Sequence, residues 1–477
     1  PRNKNLVLGA LIEAIYYSQV NHGRPDPFLL TELRGLVEHC TGCGKCMAVC
    51  PVKIASPEVA LSLRGFLEEE GAGGHPIKSK ALHYLAKDPA KRVPKAAKLA
   101  SVGQAVQNRL LPLLPSSWRS RFVNPLFSHK GPRPGFKNLM ETLHTERGSI
   151  FVPQGEARGT VLYFPGCGGG IFYRNIGLAG LTMILNAGYA VVLPEKHLCC
   201  GYPLLAAGAQ DAFAENQDRN IRHLRALAQK AAELGLPITH VLTACGSCRD
   251  GMERHFIPEV FPRAEGKSVR LSDAAHFLFS VIPALPAQPA PAEEKRNGRK
   301  QAANGHVLAD SPRRILYHSP CHAEVPGVHK AKAAGIYARE LAEHTGAEVS
   351  VSPGCCGESG MGAMTSPAIY NQLRTRKAAQ LERDLADMPD DAPVIVGCPS
   401  CKMGLNRIFL QQGKKRRVLH TLEFLAEQLA GPRWSRKFKK LLRAGTVQGE
   451  LRLVDMAALP DVQLTDAEAL EDDDAQE

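Results

Sequence analysis

The stretch RRILYHSPC, residues 313–321, is a run of β-branched and aromatic residues that ends on a cysteine. The stretch GTVLYFPGC, residues 159–167, has the same plan 154 positions earlier. Each stretch opens the same series of cysteines: a single cysteine, then an adjacent pair, then a C-x2-C pair. The two gaps in this series are 31 and 44 residues in the earlier copy and 33 and 41 residues in the later one. Corresponding cysteines are offset by 154, 156, 156, 153 and 153 positions. Such constant spacing predicts an internal duplication.

Short apolar runs alternate with longer amphipathic segments in both copies. In the first copy YAVVLP precedes the cysteine pair and ITHVLTACGSC contains the C-x2-C pair. In the second copy the matching runs are AEVSVSPGCC and APVIVGCPSC, with helices predicted over 330–345 and 366–386. This alternation predicts an α/β fold, in which two duplicated βαβ domains have parallel sheets. Every cysteine then follows the carboxyl end of a strand, where open α/β sheets bind ligands.

The adjacent cysteines indicate metal binding. Consecutive Cα atoms lie about 3.8 Å apart, less than the roughly 4.4–6.8 Å of a comfortable disulfide. One loop with two cysteines can present both sulfurs to different metal atoms, and Gly201 or Gly357 lets that loop approach closely because glycine has no Cβ. Clustered cysteines in a chain of 477 residues favour iron–sulfur ligation in a reducing compartment over a disulfide framework. Zinc in one copy is an alternative, although its tetrahedral site would leave one cysteine of five unused.

The segment CTGCGKCMAVCP contains the C-x2-C-x2-C-x3-C-P run of bacterial ferredoxins, at Cys40, Cys43, Cys46, Cys50 and Pro51. It predicts a [4Fe–4S] cluster in an α-helical, ferredoxin-type domain. In two-cluster ferredoxins the fourth cysteine ligates the other cluster, and this chain has no second run. Either Cys50 closes a single cluster, or the missing run lies upstream of Pro1. Since the chain begins at Pro1, we expect it to be a fragment or a processed product.

Residues 86–150 contain twelve Lys and Arg against three acids, which accounts for most of the formal net charge of +12. An apolar row at helical spacing runs through them: Leu99, Val102, Val106, Leu110 and Leu113. We favour a connector helix that packs on the protein with its basic side in solvent. The alternative is peripheral attachment to an anionic membrane surface, and no apolar run is long enough to span one. No nucleic-acid-binding motif accompanies the charge, so no nucleic-acid partner is predicted.

The predicted organisation has six parts. They are a helical ferredoxin-type domain (1–85), a basic connector (86–158), a first cysteine-rich domain (159–283), a flexible linker (284–312), a second cysteine-rich domain (313–430), and a C-terminal helix with an acidic tail (431–477). Neither a strand-to-helix GxGxxG nor a Walker A motif occurs. Any flavin is therefore expected upstream or on another chain.

YFPGC, CCGYP, YHSPCH, CCGESG and CPSCKMG resemble the signatures of the CCG cysteine-rich domain. That family includes heterodisulfide reductase subunits, the glycolate oxidase iron–sulfur subunit, the C subunit of anaerobic glycerol-3-phosphate dehydrogenase, and the iron–sulfur region of FAD-linked D-lactate dehydrogenases. The resemblance covers roughly residues 35–410. It implies two non-cubane [4Fe–4S] clusters, one on Cys167, Cys199, Cys200, Cys245 and Cys248, and one on Cys321, Cys355, Cys356, Cys398 and Cys401. Some members have a single cluster, or zinc in one copy.

Two departures suggest that the copies are not equivalent. Ser319 stands where an Asp is common, and the first copy lacks a counterpart of His322. If one copy is mainly structural, we predict that it is the first.

Three functions are considered, in order of preference, of which the resemblance implies the first two. The first is electron transfer from the FAD of a D-2-hydroxyacid (D-lactate or glycolate) dehydrogenase, through the clusters, to quinone or another acceptor, in the cytoplasm or on the cytoplasmic face of the inner membrane. The second is disulfide chemistry at a cluster, with His318, His322 and Glu358 as candidate catalytic groups for proton transfer or as hydrogen-bonded neighbours of the ligands. The third is a zinc-stabilised scaffold without redox activity.

Overall fold

The computed structural model of the chain describes residues 2–52, 54–119, 129–262, 269–283, 314–323, 325, 328, 332–358 and 366–463. The predicted linker, 284–312, lies outside the described residues. So does most of the predicted acidic tail, from residue 464 onward.

Four strands are common to the two copies, and they follow the same order in both sheets. In the first copy they are β2 (Thr160–Phe164), β3 (Ala190–Val192), β4 (Ile238–Thr243) and β5 (Arg270–Asp273). In the second copy they are β6 (Arg314–His318), β7 (Glu348–Ser352), β8 (Val394–Val396) and β9 (Val418–His420). The orders β3-β2-β4-β5 and β7-β6-β8-β9 match, and every pair among them is parallel. The predicted α/β fold with two duplicated parallel sheets is confirmed.

The first sheet has three more strands, which the sequence pattern does not predict. They are β1 (Ile150–Pro153), β10 (Thr446–Gln448) and β11 (Leu451–Val454), and they extend the sheet beyond β3. β1 runs antiparallel to β3 and parallel to β11. These strands have three or four residues each, too few for a period of two to stand out. The C-terminal segment thus returns to the first sheet after the second copy is complete.

Corresponding helices follow the strands of the two copies. In the first copy they are Arg174–Asn186, Tyr202–Ala207, Gln210–Glu233, Gly246–His255, Ile257–Val260 and Ala274–Val281. In the second copy they are Ala333–Thr345, Pro367–Asp384, Pro399–Gln411 and Thr421–Ala430, followed by Trp434–Ala444. The largest buried cluster draws residues from both sheets and from helices of both copies, and includes Leu181, Leu278, Leu341 and Leu425. The two copies therefore share one hydrophobic core.

Helices make up the N-terminal part of the chain. They are Arg2–His22, Pro27–Glu38, Lys45–Val49, Ser56–Glu69, Pro76–Lys87, Pro89–Leu110 and Ser116–Arg119. Leu8, Leu33 and Leu67 belong to a small core of their own. A second small cluster joins Leu82 to Phe213 of the first copy, so this region is packed against the cysteine-rich part.

The basic helix Pro89–Leu110 packs on the protein and exposes Lys91 and Lys95, but the face that it buries does not contain the apolar row. Its buried residues are small or rigid and include Pro94, Ala97 and Ser101. The apolar row faces outward, with Leu99 74% exposed and Leu113, just past the end of the helix, 77% exposed. Small side chains let a helix backbone approach its support closely, and the larger ones are left on the far side. None of the described helices combines the length and the apolar character that a membrane-spanning segment needs.

Candidate metal centre

The carboxyl edge of each sheet gathers five cysteines. In the first copy β2 is followed by Cys167, β3 by Cys199 and Cys200, and β4 by Cys245 and Cys248. β6, β7 and β8 deliver the second set in the same order: Cys321, Cys355, Cys356, Cys398 and Cys401. Parallel strands end at one edge, so cysteines far apart in sequence meet there.

The ten thiols form one row in which each contacts the next. The order is Cys167, Cys199, Cys200, Cys248, Cys245, Cys398, Cys401, Cys356, Cys355 and Cys321. The second five run in the reverse order of the first, because the copies face each other. The two sets meet where the Sγ atoms of Cys245 and Cys398 lie 3.9 Å apart. The sequence predicts two separate groups on neighbouring sheet edges, and the structure brings them into contact.

The glycine after each cysteine pair has a left-handed backbone. Gly201 has φ of +78° and Gly357 has φ of +71°. A Cβ on Gly201 would lie 2.7 Å from the Phe213 ring, and one on Gly357 would lie 2.5 Å from Cγ of Arg374. Each glycine donates its amide to the first sulfur of the pair, at 3.5 Å for Gly201 and 3.4 Å for Gly357. The turn therefore needs glycine, and its amide can offset negative charge on sulfur.

Hydrogen bonds lower the pKa of the first cysteine in each pair. The pKa of Cys355 falls to about 2, first because Cys321 donates to its sulfur, and then through Cys356 and the Gly357 amide. The pKa of Cys199 is likewise held well below its usual range, by Cys167 first and then by Cys200. A sulfur that is already a thiolate can bind a metal without first losing a proton.

Different side chains hold the two cysteine-pair loops. In the first copy the Cys199 carbonyl accepts from Asn216 at 3.0 Å and from Asn220 at 2.7 Å. In the second copy the buried Lys377 donates to the carbonyls of Ser352 and Pro353, at 3.3 and 2.8 Å. Burial lowers the pKa of Lys377 to about 8. The second loop thus has a buried cation beside it.

A buried histidine lies beside each set of cysteines, at positions that do not correspond. His197 Nε2 is 3.4 Å from Cys167 Sγ, and burial lowers the pKa of His197 to about 4. His318, the last residue of β6, places a ring nitrogen within 4.8 Å of the sulfurs of Cys356 and Cys401. Burial, followed by the charge on Lys377, lowers the pKa of His318 to about 3. Both rings are therefore neutral at physiological pH.

His322 lies at the junction of the two copies. An added Cβ on Gly246 would come within 2.8 Å of the His322 Cβ. Gly168 is the first-copy counterpart of His322, and Pro399 is the second-copy counterpart of Gly246. These two residues also meet, because a Cβ on Gly168 would collide with the Pro399 ring. The first copy therefore has glycine where the second has His322, since a larger residue there would have no room beside Pro399.

Glu358 is in a buried ion pair. Its two carboxylate oxygens accept from Arg407 Nε at 3.2 Å and Nη2 at 3.1 Å. The side chains of Glu358 and Arg407 are 5% and 7% exposed. Both oxygens are thus engaged by a permanent cation in a bidentate, charge-assisted pair.

The N-terminal cysteine loop packs against the first copy. Gly42 and Gly44 have positive φ, and Arg64 donates to the carbonyls of Cys40 and Ala206, at 2.6 and 2.7 Å. The Tyr202 hydroxyl donates to the Gly42 carbonyl at 3.4 Å. The Tyr202 ring also meets the His322 ring edge-on, with centroids 5.5 Å apart. Cys43, Cys46 and Cys50 are half-buried, with Cys46 in the short helix Lys45–Val49 that follows the loop.

These residues fit a metal group. Each copy supplies five contacting thiols, more than a tetrahedral zinc ion takes. Hydrogen bonds lower the pKa of Cys199 and Cys245 in the first copy and of Cys355 in the second. The buried His318 Nε2 has no hydrogen-bond partner among the described residues, which is costly unless something else occupies it.

Sequence reasoning misses three residues that contact the site. His197 stands two residues before a cysteine pair, a position that gives some signal. Tyr202 stands two residues after the same pair, in the quoted CCGYP. Lys377 gives no signal, because a lysine within a helical segment is ordinarily in solvent.

Comparison with known proteins agrees with this geometry. The model of the CCG cysteine-rich domain matches residues 161–252 and 315–406. The B subunit of fumarate reductase (CoM/CoB) from Methanothermobacter marburgensis is 22% identical over 81% of this chain and 60% of its own length. The C subunit of anaerobic glycerol-3-phosphate dehydrogenase from Escherichia coli is 26% identical, over 59% of this chain and 62% of its own. Lactate utilization protein A from a Geobacillus species is 24% identical, over 54% of this chain and 94% of its own.

The chain thus spans about 60% of the length of the first two relatives. The two matched segments coincide with the two sets of strands and cysteines described above. The chain therefore contains two copies of the CCG cysteine-rich domain, one in each half of its cysteine-rich region.

Proposed function

We propose that this chain is the electron-transfer component of an oxidoreductase. The observation that supports this most is the unbroken row of ten thiols, joined across the copies at 3.9 Å. Iron–sulfur clusters on such ligands accept and donate single electrons. The polypeptide would hold the clusters side by side and largely shielded from water, so that each electron transfer from one cluster to the next would cover a short distance.

The N-terminal loop would add a ferredoxin-type [4Fe–4S] cluster on Cys40, Cys43, Cys46 and Cys50. Its contact with Tyr202 supports this role, because Tyr202 is two residues from Cys200 and touches His322 of the other copy. The ferredoxin-type loop therefore stands next to the junction of the two cysteine sets. An electron from this loop would reach either copy through adjacent residues.

The electron donor would be the FAD of a dehydrogenase domain or subunit that oxidises a D-2-hydroxy acid, and the acceptor would be quinone or another carrier. One similar protein bears a name that fits this substrate class, a lactate utilization protein, and another is a component of a dehydrogenase of a different alcohol, glycerol 3-phosphate. These names describe the relatives, and their substrates are only candidates for this chain. For this chain, lactate, glycolate and glycerol 3-phosphate are the substrates to test first.

Anaerobically purified protein should contain iron and inorganic sulfide, with broad visible absorbance that bleaches on reduction with dithionite. Elemental analysis and a reductive titration would measure this. Zinc with essentially no iron would contradict the proposal and would favour the non-redox scaffold. The control is the same protein after its metal has been removed anaerobically with a chelator. This protein should lose the visible absorbance and keep its far-UV circular dichroism.

A second candidate is disulfide chemistry, in which the two adjacent sets act on one substrate. The meeting of Cys245 and Cys398 favours it, because a substrate with two sulfurs could reach both sets at one place. A relative that carries CoM/CoB in its name adds support. The reduced protein should be mixed separately with a low-molecular-weight disulfide and with a quinone analogue. Reoxidation by the quinone analogue but not by the disulfide would exclude disulfide chemistry and leave electron transfer standing.

The outward apolar row of the helix Pro89–Leu110 is proposed to lie on an anionic membrane surface. Lys91, Lys95 and Arg109 are exposed on the same helix, and each such charge contributes about 1 kcal/mol near an anionic surface. Exposed apolar residues with basic neighbours are what an interfacial helix needs. Attachment there would bring the chain close to a lipid-soluble acceptor.

Val102→Glu combined with Val106→Glu should weaken binding to anionic vesicles by at least about tenfold. Both valines are 50% exposed, so each has about half of the roughly 1.5 kcal/mol of a whole side chain to gain on burial. Flotation with phosphatidylglycerol-containing vesicles, and with phosphatidylcholine vesicles alone, measures this. Leu410→Glu is the matched control, because Leu410 is an exposed apolar residue of the second copy. Wild-type protein that floats with neither vesicle would contradict the proposal and would point to a protein partner instead.

A further inference from the structure

The imidazole of His318 occupies the place that a benzyl side chain has in the first copy. His318 is the last residue of β6, and Phe164 is the last residue of β2. Phe164 packs in a buried cluster with Cys200 and Cys248. The counterparts of those cysteines are Cys356 and Cys401, the two whose sulfurs lie within 4.8 Å of a His318 ring nitrogen. The two copies thus place a ring of similar size near corresponding pairs of cysteines.

Packing alone does not call for a histidine at this position. An apolar ring fills it in the first copy, and a buried polar ring is unfavourable unless its nitrogens find partners. His318 is 0% exposed. Its Nε2 has no hydrogen-bond partner among the described residues. A ring with one unpartnered buried nitrogen therefore lies next to two thiols.

The hydrogen bond on the other ring nitrogen fixes which atom is available. Nδ1 of His318 lies 3.2 Å from the Ser352 carbonyl oxygen. A carbonyl can only accept, so Nδ1 bears the proton and Nε2 of the neutral ring keeps its lone pair. Lys377 donates to the same carbonyl at 3.3 Å and fixes its position. A histidine that donates one N–H to a backbone carbonyl and presents the other nitrogen is the arrangement found at metal ligands.

We propose that His318 Nε2 is a nitrogen ligand of the metal group held by the second copy, beside Cys356 and Cys401. This inference rests on the proposed function, because it requires that the second copy binds metal. It makes the two copies chemically different, with sulfur and nitrogen ligation in the second and no counterpart of His318 in the first. Mixed imidazole and thiolate ligation occurs at both iron–sulfur and zinc centres.

Pulsed EPR on the reduced, anaerobically purified holoprotein tests the assignment when the centre is paramagnetic. Wild type should show a strong nitrogen hyperfine coupling, which changes when only histidine is labelled with ¹⁵N. His318→Phe should lose that coupling, and it should fold because the first copy accommodates the same side chain. His197→Phe is the matched control and should leave the coupling unchanged. If the second copy holds zinc, X-ray absorption at the zinc edge should show a nitrogen shell that His318→Phe removes.

The possible outcomes separate this inference from the function on which it rests. Metal in the second copy with a sulfur-only shell, or a coupling that persists in His318→Phe, would overturn the histidine assignment and leave the proposed function intact. A weak coupling typical of a hydrogen-bonded nitrogen would also overturn it. No metal in the second copy of wild type would overturn both.

Discussion

Cys355→Ser should abolish the metal centre of the second copy and leave the ferredoxin-type signal of Cys40–Cys50 intact. Cys355 is the sulfur that accepts from Cys321, Cys356 and the Gly357 amide, so it is the thiolate around which its set is arranged. A serine hydroxyl stays protonated at neutral pH and binds iron or zinc poorly. Since the loss of an outer partner already costs about 10–100-fold in metal affinity, loss of this ligand should cost more. Low-temperature EPR and metal content measure the effect.

The duplication provides the matched variant. Cys199→Ser removes the equivalent thiolate of the first copy and should abolish the other centre. Because Cys245 and Cys398 are neighbours, each variant should also alter the spectrum of the centre that remains. Loss of the ferredoxin-type signal along with the second centre, in a protein with unchanged circular dichroism, would contradict independent sites.

Arg407→Met should lower the free energy of unfolding by about 3–5 kcal/mol, because it leaves the buried Glu358 carboxylate without its partner. The loss should fall toward the lower value, since the nearby Arg374 also interacts favourably with Glu358. Anaerobic denaturation with guanidinium chloride measures the change. Arg339→Met removes an exposed pair, Arg339 with Glu343 at 3.8 Å, and should cost no more than about 0.5 kcal/mol.

The double variant Arg407→Met with Glu358→Gln distinguishes two roles for Glu358. If the carboxylate is structural, neutralising it should restore much of the stability that the single variant loses. If Arg407→Met changes the stability no more than the control does, the ion pair is not structural, and Glu358 stays a candidate for proton transfer.

Cysteine spacing, together with the alternation of short apolar runs and longer amphipathic segments, was sufficient to predict most of the fold of the cysteine-rich region. Five offsets between 153 and 156 predict the duplication, and the matching strand orders of the two sheets confirm it. The predicted helix 366–386 is observed as Pro367–Asp384. Spacing is informative here because cysteines at strand ends tie a sequence position to one edge of a sheet. β1, β10 and β11 escaped prediction because short strands depend on neighbours that are distant in sequence.

The sequence by itself determined which residues could bind metal, because a thiolate is chemically distinctive and its repetition is visible in one dimension. Only the tertiary structure decided how the two sets stand to each other, since the Cys245–Cys398 contact joins residues 153 positions apart. It also decided that the buried His318 ring, whose Nε2 has no hydrogen-bond partner among the described residues, lies beside two sulfurs, and that the apolar row of the basic helix faces outward. Those features depend on which surfaces are buried together, and that is settled by packing among segments remote in the chain.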